Sequence, residues 1–130
     1  MAKAKVGYVD GFVLVVPRKN IVVYKKMANA MAKMCKKYGA LEYKECIGVD
    51  MYPKGMGGMK ALQFPTMTKA KKGETIWFSY ITYKSKAHRD TVNAKLMKDP
   101  VMNDPKWEKM PMPFDMKRMA YGGFKVEVSA

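Results

Sequence analysis

The sequence predicts an α+β fold whose elements run strand, helix, strand, strand, helix, strand, and three observations carry that expectation. Ile76 to Tyr83 is apolar or aromatic on both parities, with Ile76, Phe78 and Tyr80 on one side and Trp77, Ile81 and Tyr83 on the other. A strand with one wet face alternates apolar with polar residues, so this one is read as covered on both faces and central in its sheet. Tyr8 to Val16 is equally two-sided apart from Asp10. Tyr24, Met27, Ala28, Met31, Met34, Cys35 and Tyr38 recur at helical spacing and make one apolar stripe. The element order is the split βαβ arrangement of ferredoxin-like folds: a four-stranded antiparallel sheet with both helices on one face.

In chain order, Tyr8 to Val16 is rich in β-branched and aromatic residues and stops at Pro17. Asp10, inside so apolar a strand, needs a partner or a place at a wet sheet end. A structural hydrogen bond comes first as its explanation, a carboxylate in a pocket second. Asn20 is the expected N-cap of the first helix and Gly39 its C-terminal stop. The methionines of its stripe read as core packing rather than a cofactor box, and its lysines as a solvated face. Leu41 to Asp50 has the mixed pattern of a strand nearer an edge, with Glu45 sharing a parity with apolar residues. Met51 to Gly58 is a Gly/Pro loop, and Met59 to Thr66 is expected to hold a short strand interrupted at Pro65.

Ser85 is a good N-cap for a second helix that ends before Pro100. His88 in its first turn reads as a capping or surface histidine, since no nucleophile signature accompanies it. Arg89 and Asp90 are sequence neighbours on this helix, and each is expected to find its partner elsewhere. Asp99 to Pro113 is irregular and proline-broken, with one helical turn expected at Asp104 to Lys109. Phe114 to Met119 leads into a last strand, Ala120 to Val128.

A chain of 130 residues suits one domain, residues 1–130, with a core that needs no metal or disulfide. With 48% hydrophobic and 28% charged residues it has the composition of a folded globular protein. The 25 Lys+Arg against 11 Asp+Glu, net +14, read first as a solvated lysine surface and second as a polyanion site. Cys35 and Cys46 form no CxxC pair and read as buried free thiols in a reducing compartment. One histidine cannot build a His/Cys zinc site within one chain. No leader peptide or membrane span is apparent, and no cofactor is implied, so the expected location is cytoplasmic.

The stretches YVDGFV, KYGALEYKECIGVD, FPTMTKAKKGETIWFSYITYKSKAHRD and MPFDMKRMAYGGF resemble the YbaA-like family of small uncharacterised bacterial proteins. The resemblance spans Tyr8 to Val126 and implies the dimeric α+β barrel superfamily, in which two ferredoxin-like sheets close into a barrel. It implies no activity. Wider relatives include cofactor-free monooxygenases, haem-degrading enzymes and stress-response proteins, whose sites differ too much to carry over. The present sequence is far more basic than that family's pattern.

Three functions compete. The first is a small-molecule pocket beside the sheet, enzymatic or not, drawing on Asp10, Glu45, Trp77, Tyr80, Arg89, Asp115 and Arg118. Within it, Asp10 is expected beside Arg118, which would keep the carboxylate ionised, and the proline-broken segment is expected to act as a lid. The same residues could instead form closed structural ion pairs; a cavity with converging side chains separates the two. The second is nucleic-acid or polyanion binding through lysines. It lacks the aromatic motif of RNA-recognition sheets, and the face required for base stacking is the one a dimer would bury. The third is a non-catalytic oligomeric or regulatory protein. A homodimer through the helix-free sheet face is expected because two-sided central strands need cover on both faces.

Overall fold

The computed structural model describes residues 5–54, 57 and 60–130. Its elements are β1 (Tyr8–Pro17), α1 (Ile21–Lys37), β2 (Glu42–Ile47), α2 (Phe64–Thr68), β3 (Glu74–Tyr83), α3 (Lys86–Met97), α4 (Lys106–Lys109) and β4 (Ala120–Lys125). Short 3-10 turns at Arg18–Asn20 and Met116–Arg118 precede α1 and β4. The fold is α+β, with one four-stranded antiparallel sheet in the order β2-β3-β1-β4. The two strands apolar on both parities are therefore the inner pair. They align over their whole length, from Tyr8 opposite Tyr83 to Pro17 opposite Glu74.

The register puts Tyr8, Asp10, Phe12, Leu14 and Val16 on the same face as Trp77, Ser79, Ile81 and Tyr83. Both long helices pack on that face. Cys35 of α1 and Val92 and Leu96 of α3 meet Tyr8, Ile81 and Tyr83 in one buried cluster. Tyr24 and Ala28 of α1 meet Leu14, Val16 and Trp77 in a second. The apolar rows of α1 thus divide between two core patches, with the sheet as common floor. On α3, Val92 and Leu96 turn inward.

The helix ends differ in how they are held. Ser85 caps α3 by accepting from His88 N–H at 3.0 Å, while His88 Nδ1 accepts from Lys84 N–H at 2.9 Å. His88 is thus a capping residue. Gly39 closes α1 with a φ of 111°, a conformation that favours glycine. Asn20 stands at the N-cap position but makes no cap; its amide donates to the Pro113 carbonyl at 3.2 Å. Its side chain fastens a distant loop instead.

The short strand expected at Met59 to Thr66 is not formed. Residues 58–59 lie outside the described residues, and Phe64–Thr68 is helix α2. Pro65 sits in its first turn, where a missing N–H costs nothing, so the same proline that interrupts a strand can start a helix. The last strand stops at Lys125 rather than Val128. Cys46 is exposed, not buried, because β2 is an edge strand and Cys46 lies on the parity opposite to Tyr43 and Glu45; Cys35 is buried, and both thiols are free. Burial pushes the Cys35 thiol up to about 11, so it stays protonated.

Arg118 donates to both Glu74 carboxylate oxygens, at 2.8 and 2.6 Å, to Asp115 at 2.7 Å and to the Lys69 carbonyl at 3.1 Å. This joins the approach to β4 to the start of β3. The paired guanidinium holds Glu74 at about 2, against an ordinary 4.5. A depressed carboxyl contributes stability that is complete above 4.5 and lost as pH falls towards 2. Glu74→Gln should therefore flatten the dependence of urea-unfolding stability on pH across that window. A slope equal to that of the unsubstituted protein would show the pair to be energetically idle.

Candidate functional site

A cavity of about 560 Å³ lies between the helix-bearing face of the sheet, α1 and the segment from Val101 to Met119. Its floor is Asp10, Phe12 and Leu14 of β1, Tyr43 and Glu45 of β2, and Ser79 and Ile81 of β3. The α1 stripe supplies Met27, Met31 and Met34, so those methionines line a void as well as pack a core. The irregular segment covers the cavity with Trp107, Met110, Met112 and Phe114.

That cover is pinned at both ends. At its start Asp99, 7% exposed, accepts the Tyr38 hydroxyl and the Val101 N–H, the latter at 2.8 Å. At its end lie the Asn20 amide on Pro113, the Asp115 N–H on the Val15 carbonyl at 3.3 Å, and the Arg118 cluster. Trp107 Nε1 donates back to the Val101 carbonyl at 2.5 Å, folding the segment on itself.

Two carboxylates face this floor, and they are held in different ways. Asp10, 2% exposed, accepts from Arg89 Nη1 at 2.6 Å. Arg89 also donates to Tyr121 Oη at 3.1 Å and to Asp90 at 2.8 Å, and lies over the Tyr8 ring at 5.0 Å. One guanidinium thus ties α3 to β1 and β4. The expected partner, Arg118, is engaged elsewhere, and Arg89 does reach its neighbour Asp90. The physical reason is Arg89's fork of five donors: Nε turns back to Asp90 while Nη1 goes forward to the sheet. Burial pushes the Asp10 carboxyl up, and Arg89 opposes this without cancelling it. The expectation of Arg118 as the partner is corrected: Arg89 takes that place.

Glu45 has no ion-pair partner among the described residues. Its Oε1 accepts the Tyr24 hydroxyl at 2.7 Å and Ser79 Oγ at 2.7 Å, and its Oε2 accepts the Tyr43 hydroxyl at 2.5 Å. Burial first, and then the carboxylate itself, pushes both phenols well above their ordinary range, so they remain donors. Tyr24 is fixed in turn by edge contacts with Trp77 and Phe114, at ring separations of 5.0 and 5.9 Å. A second cavity of about 440 Å³, lined by Ile21, Lys25, Asn29, Ile47 and Trp77, shares Ala28, Tyr43 and Glu45 with the first. Glu45 stands between the two.

Of the residues singled out from sequence, the larger cavity takes Asp10 and Glu45 directly, with Arg89 behind Asp10. Trp77 borders the smaller cavity, its Nε1 donating to Thr75 Oγ1 at 3.0 Å. Tyr80 lies on the opposite, helix-free face, 5.9 Å ring to ring from Phe78. Asp115 and Arg118 form the ion cluster that anchors the cover and do not line the cavity. Cavity and closed ion pairs therefore coexist, on different members of the set. Tyr24, Tyr43 and Ser79 were not expected as partners of Glu45, although the shared parity of Tyr43 with Glu45 was a signal that could have found one of them. Among the described residues, no group of three His, Cys, Asp or Glu side chains could share a metal ion, and no helix is long and apolar enough to cross a membrane.

Residues 7–116 match the model of a protein family described as a protein of unknown function, DUF1428. The chain is 43% identical over 118 residues to the uncharacterized protein YbaA of Escherichia coli strain K12, covering 91% of this chain and 94% of that protein. The YbaA proteins of Escherichia coli O157:H7 and of Shigella flexneri match to the same degree.

If the hydroxyls hold Glu45, removing the one on Oε2 costs a charge-assisted hydrogen bond. Tyr43→Phe should lower unfolding stability by about 1.5–3 kcal/mol in a urea titration. A loss below about 0.5 kcal/mol would mean that water replaces the phenol at no cost.

Proposed function

The chain belongs to the DUF1428 family of proteins of unknown function, and from its own geometry we propose that it binds a small, largely apolar molecule in the cavity between sheet and α1. The observation that carries this reading is the Glu45 site: an unpaired carboxylate held by three hydroxyls on the floor of an apolar void of about 560 Å³. A few polar groups fixed in an otherwise apolar cavity are the usual makings of a ligand site. Asp10 with Arg89 closes one end, and the Asp99–Met119 segment supplies a roof with two anchored ends.

The same reading takes the chain as a single ferredoxin-like domain and a cytoplasmic homodimer, its two sheets facing each other as in dimeric α+β barrels. The strand order and the shared helix face support the first part. The helix-free face supports the second. Val9, Gly11, Val13, Phe78, Tyr80, Ala120, Gly122 and Phe124 share it by register, and none of them is charged. Phe78 is 47% and Phe124 61% exposed there, and the Phe124 ring lies over Gly11 and Gly122, where any Cβ would touch it. At the edge, Lys44 and Glu42 pair at 3.2 Å. On a chain of net charge +14, this neutral patch is where two copies can approach without repulsion. Val15 and Ile76, at the far end of the face, are already buried, so a second copy would sit on the part nearer Phe78 and Phe124. The free, exposed Cys46 fits a reducing compartment. Polyanion binding rests on net charge alone, and its aromatic platform would be the face the dimer covers.

Two measurements test this. Sedimentation velocity should give a dimer at micromolar concentration for the unsubstituted protein and a folded monomer for Phe78→Lys combined with Phe124→Lys; an unsubstituted monomer would sink the dimer. The neutral dye Nile red should be taken up saturably, and Met31→Trp, which puts an indole into the cavity, should weaken uptake while circular dichroism stays unchanged. Equal uptake by both proteins would place the dye, and the argument for a pocket, elsewhere.

A further inference from the structure

The cavity's charge is opposite to that of the protein around it. The chain carries 25 Lys+Arg against 11 Asp+Glu, yet the described lining of the larger cavity includes Asp10 and Glu45 and no Lys, Arg or His. Asp10 already has its counter-ion in Arg89. Glu45 has hydroxyls and no cation. The two carboxylates are well separated on the floor: Asp10 is level with Ile81 and Tyr43, and Glu45 lies two residues further along β2. Two strand spacings across and two residues along put their α-carbons about 12 Å apart. Lys25 lines the smaller cavity that shares Glu45 but makes no ion pair with it, so the uncompensated charge of the larger cavity is local to Glu45.

Hydrogen-bond capacity at Glu45 is also incomplete. Oε1 accepts from both Tyr24 and Ser79, whereas Oε2 accepts from Tyr43 alone. A carboxylate oxygen has room for two donors, so Oε2 can take one more. The donors already present keep the carboxylate in place and cannot rotate it away. Around it the wall is soft and apolar: eight of the chain's 14 methionines line this cavity, together with Phe12, Phe114 and Trp107. Unbranched thioether side chains adapt to the shape of an apolar body more readily than branched ones. An anionic head group would meet Glu45 with no cation on the described wall to receive it. A protonated nitrogen would supply both the missing donor and the missing counter-charge.

Resting on the cavity reading above, we propose that the occupant is an amphipathic amine, its ammonium group donating to Glu45 Oε2 and its apolar body lying along the methionine wall beneath Trp107. The charge-assisted hydrogen bond selects the head group, and the adaptable wall accepts bodies of differing shape.

Decylamine, decanol and decanoate share one tail and differ in the head group. Each is titrated into the unsubstituted protein below its aggregation limit, in about 0.2 M salt so that surface lysines do not capture the acid. Calorimetry should rank the amine first, roughly tenfold or more ahead of the acid, and Glu45→Gln should erase that margin. Decanol or decanoate binding as tightly as decylamine overturns the amine assignment and leaves the cavity reading intact. Binding of none of the three overturns both. An amine preference that survives in folded Glu45→Gln places the nitrogen elsewhere and also overturns the assignment. Where Glu45→Gln does not fold, Tyr43→Phe replaces it. That change frees Oε2 completely and should tighten decylamine relative to decanol; an unchanged or reduced margin overturns the assignment.

Discussion

The structure depends on the pairing of β1 with β3 along their full length. Both strands are apolar on both parities, so once paired they create two hydrophobic surfaces back to back, and each requires cover. The chain covers one throughout and the other only in part, at Val15 and Ile76. Helices α1 and α3 take the face of Leu14, Trp77, Ile81 and Tyr83, where core residues such as Val16 and Tyr83 are completely buried. The other face keeps Phe78 and Phe124 in solvent. One pairing thus produces the core, the void beside α1 and the neutral outer patch.

The void exists because α1 and α3 do not fill the sheet face between them. Into that gap falls the irregular segment after α3, which cannot form a long regular element with prolines at positions 100, 105, 111 and 113. It closes the space as a roof built mainly from Met, Trp and Phe side chains, fastened where Asp99 meets Tyr38 and where Arg118 meets Glu74. Roof contacts are apolar and adaptable, while its two ends are ionic or hydrogen-bonded and directional. That division puts compliance over the cavity and rigidity at its hinges.

Carboxylates are scarce in this chain, and the four that leave water are secured by three different chemistries. Asp10 and Glu74 take guanidinium partners, Asp99 takes a phenol with two further contacts, and Glu45 takes three hydroxyls. Ion pairing neutralises charge, whereas hydroxyl donors satisfy lone pairs and leave the charge in place. Glu45 is for that reason the one of the four with electrostatic work still to do.

The sequence by itself determined the α+β class, the two inner strands, the capped start of α3, the inward parity of Glu45 and the irregular segment after α3. Each of these rests on a local rule: side-chain periodicity, a hydroxyl at an N-cap, or a proline that breaks a run. It placed a short strand within Met59–Thr66 where helix α2 begins at Phe64, because Pro65 is compatible with either the end of a strand or the first turn of a helix. Partner choice among charges was beyond it. Asp10 and Arg89 are 79 residues apart, and Arg118 lies 44 residues from Glu74; nothing in either local pattern distinguishes one guanidinium from the other. Likewise Tyr24, Tyr43 and Ser79 converge on Glu45 from three separate elements. Such convergence is fixed by strand register and by where α1 crosses the sheet, quantities that exist only once the chain has folded. Local periodicity can say that a side chain points inward; the tertiary structure alone decides what it meets there.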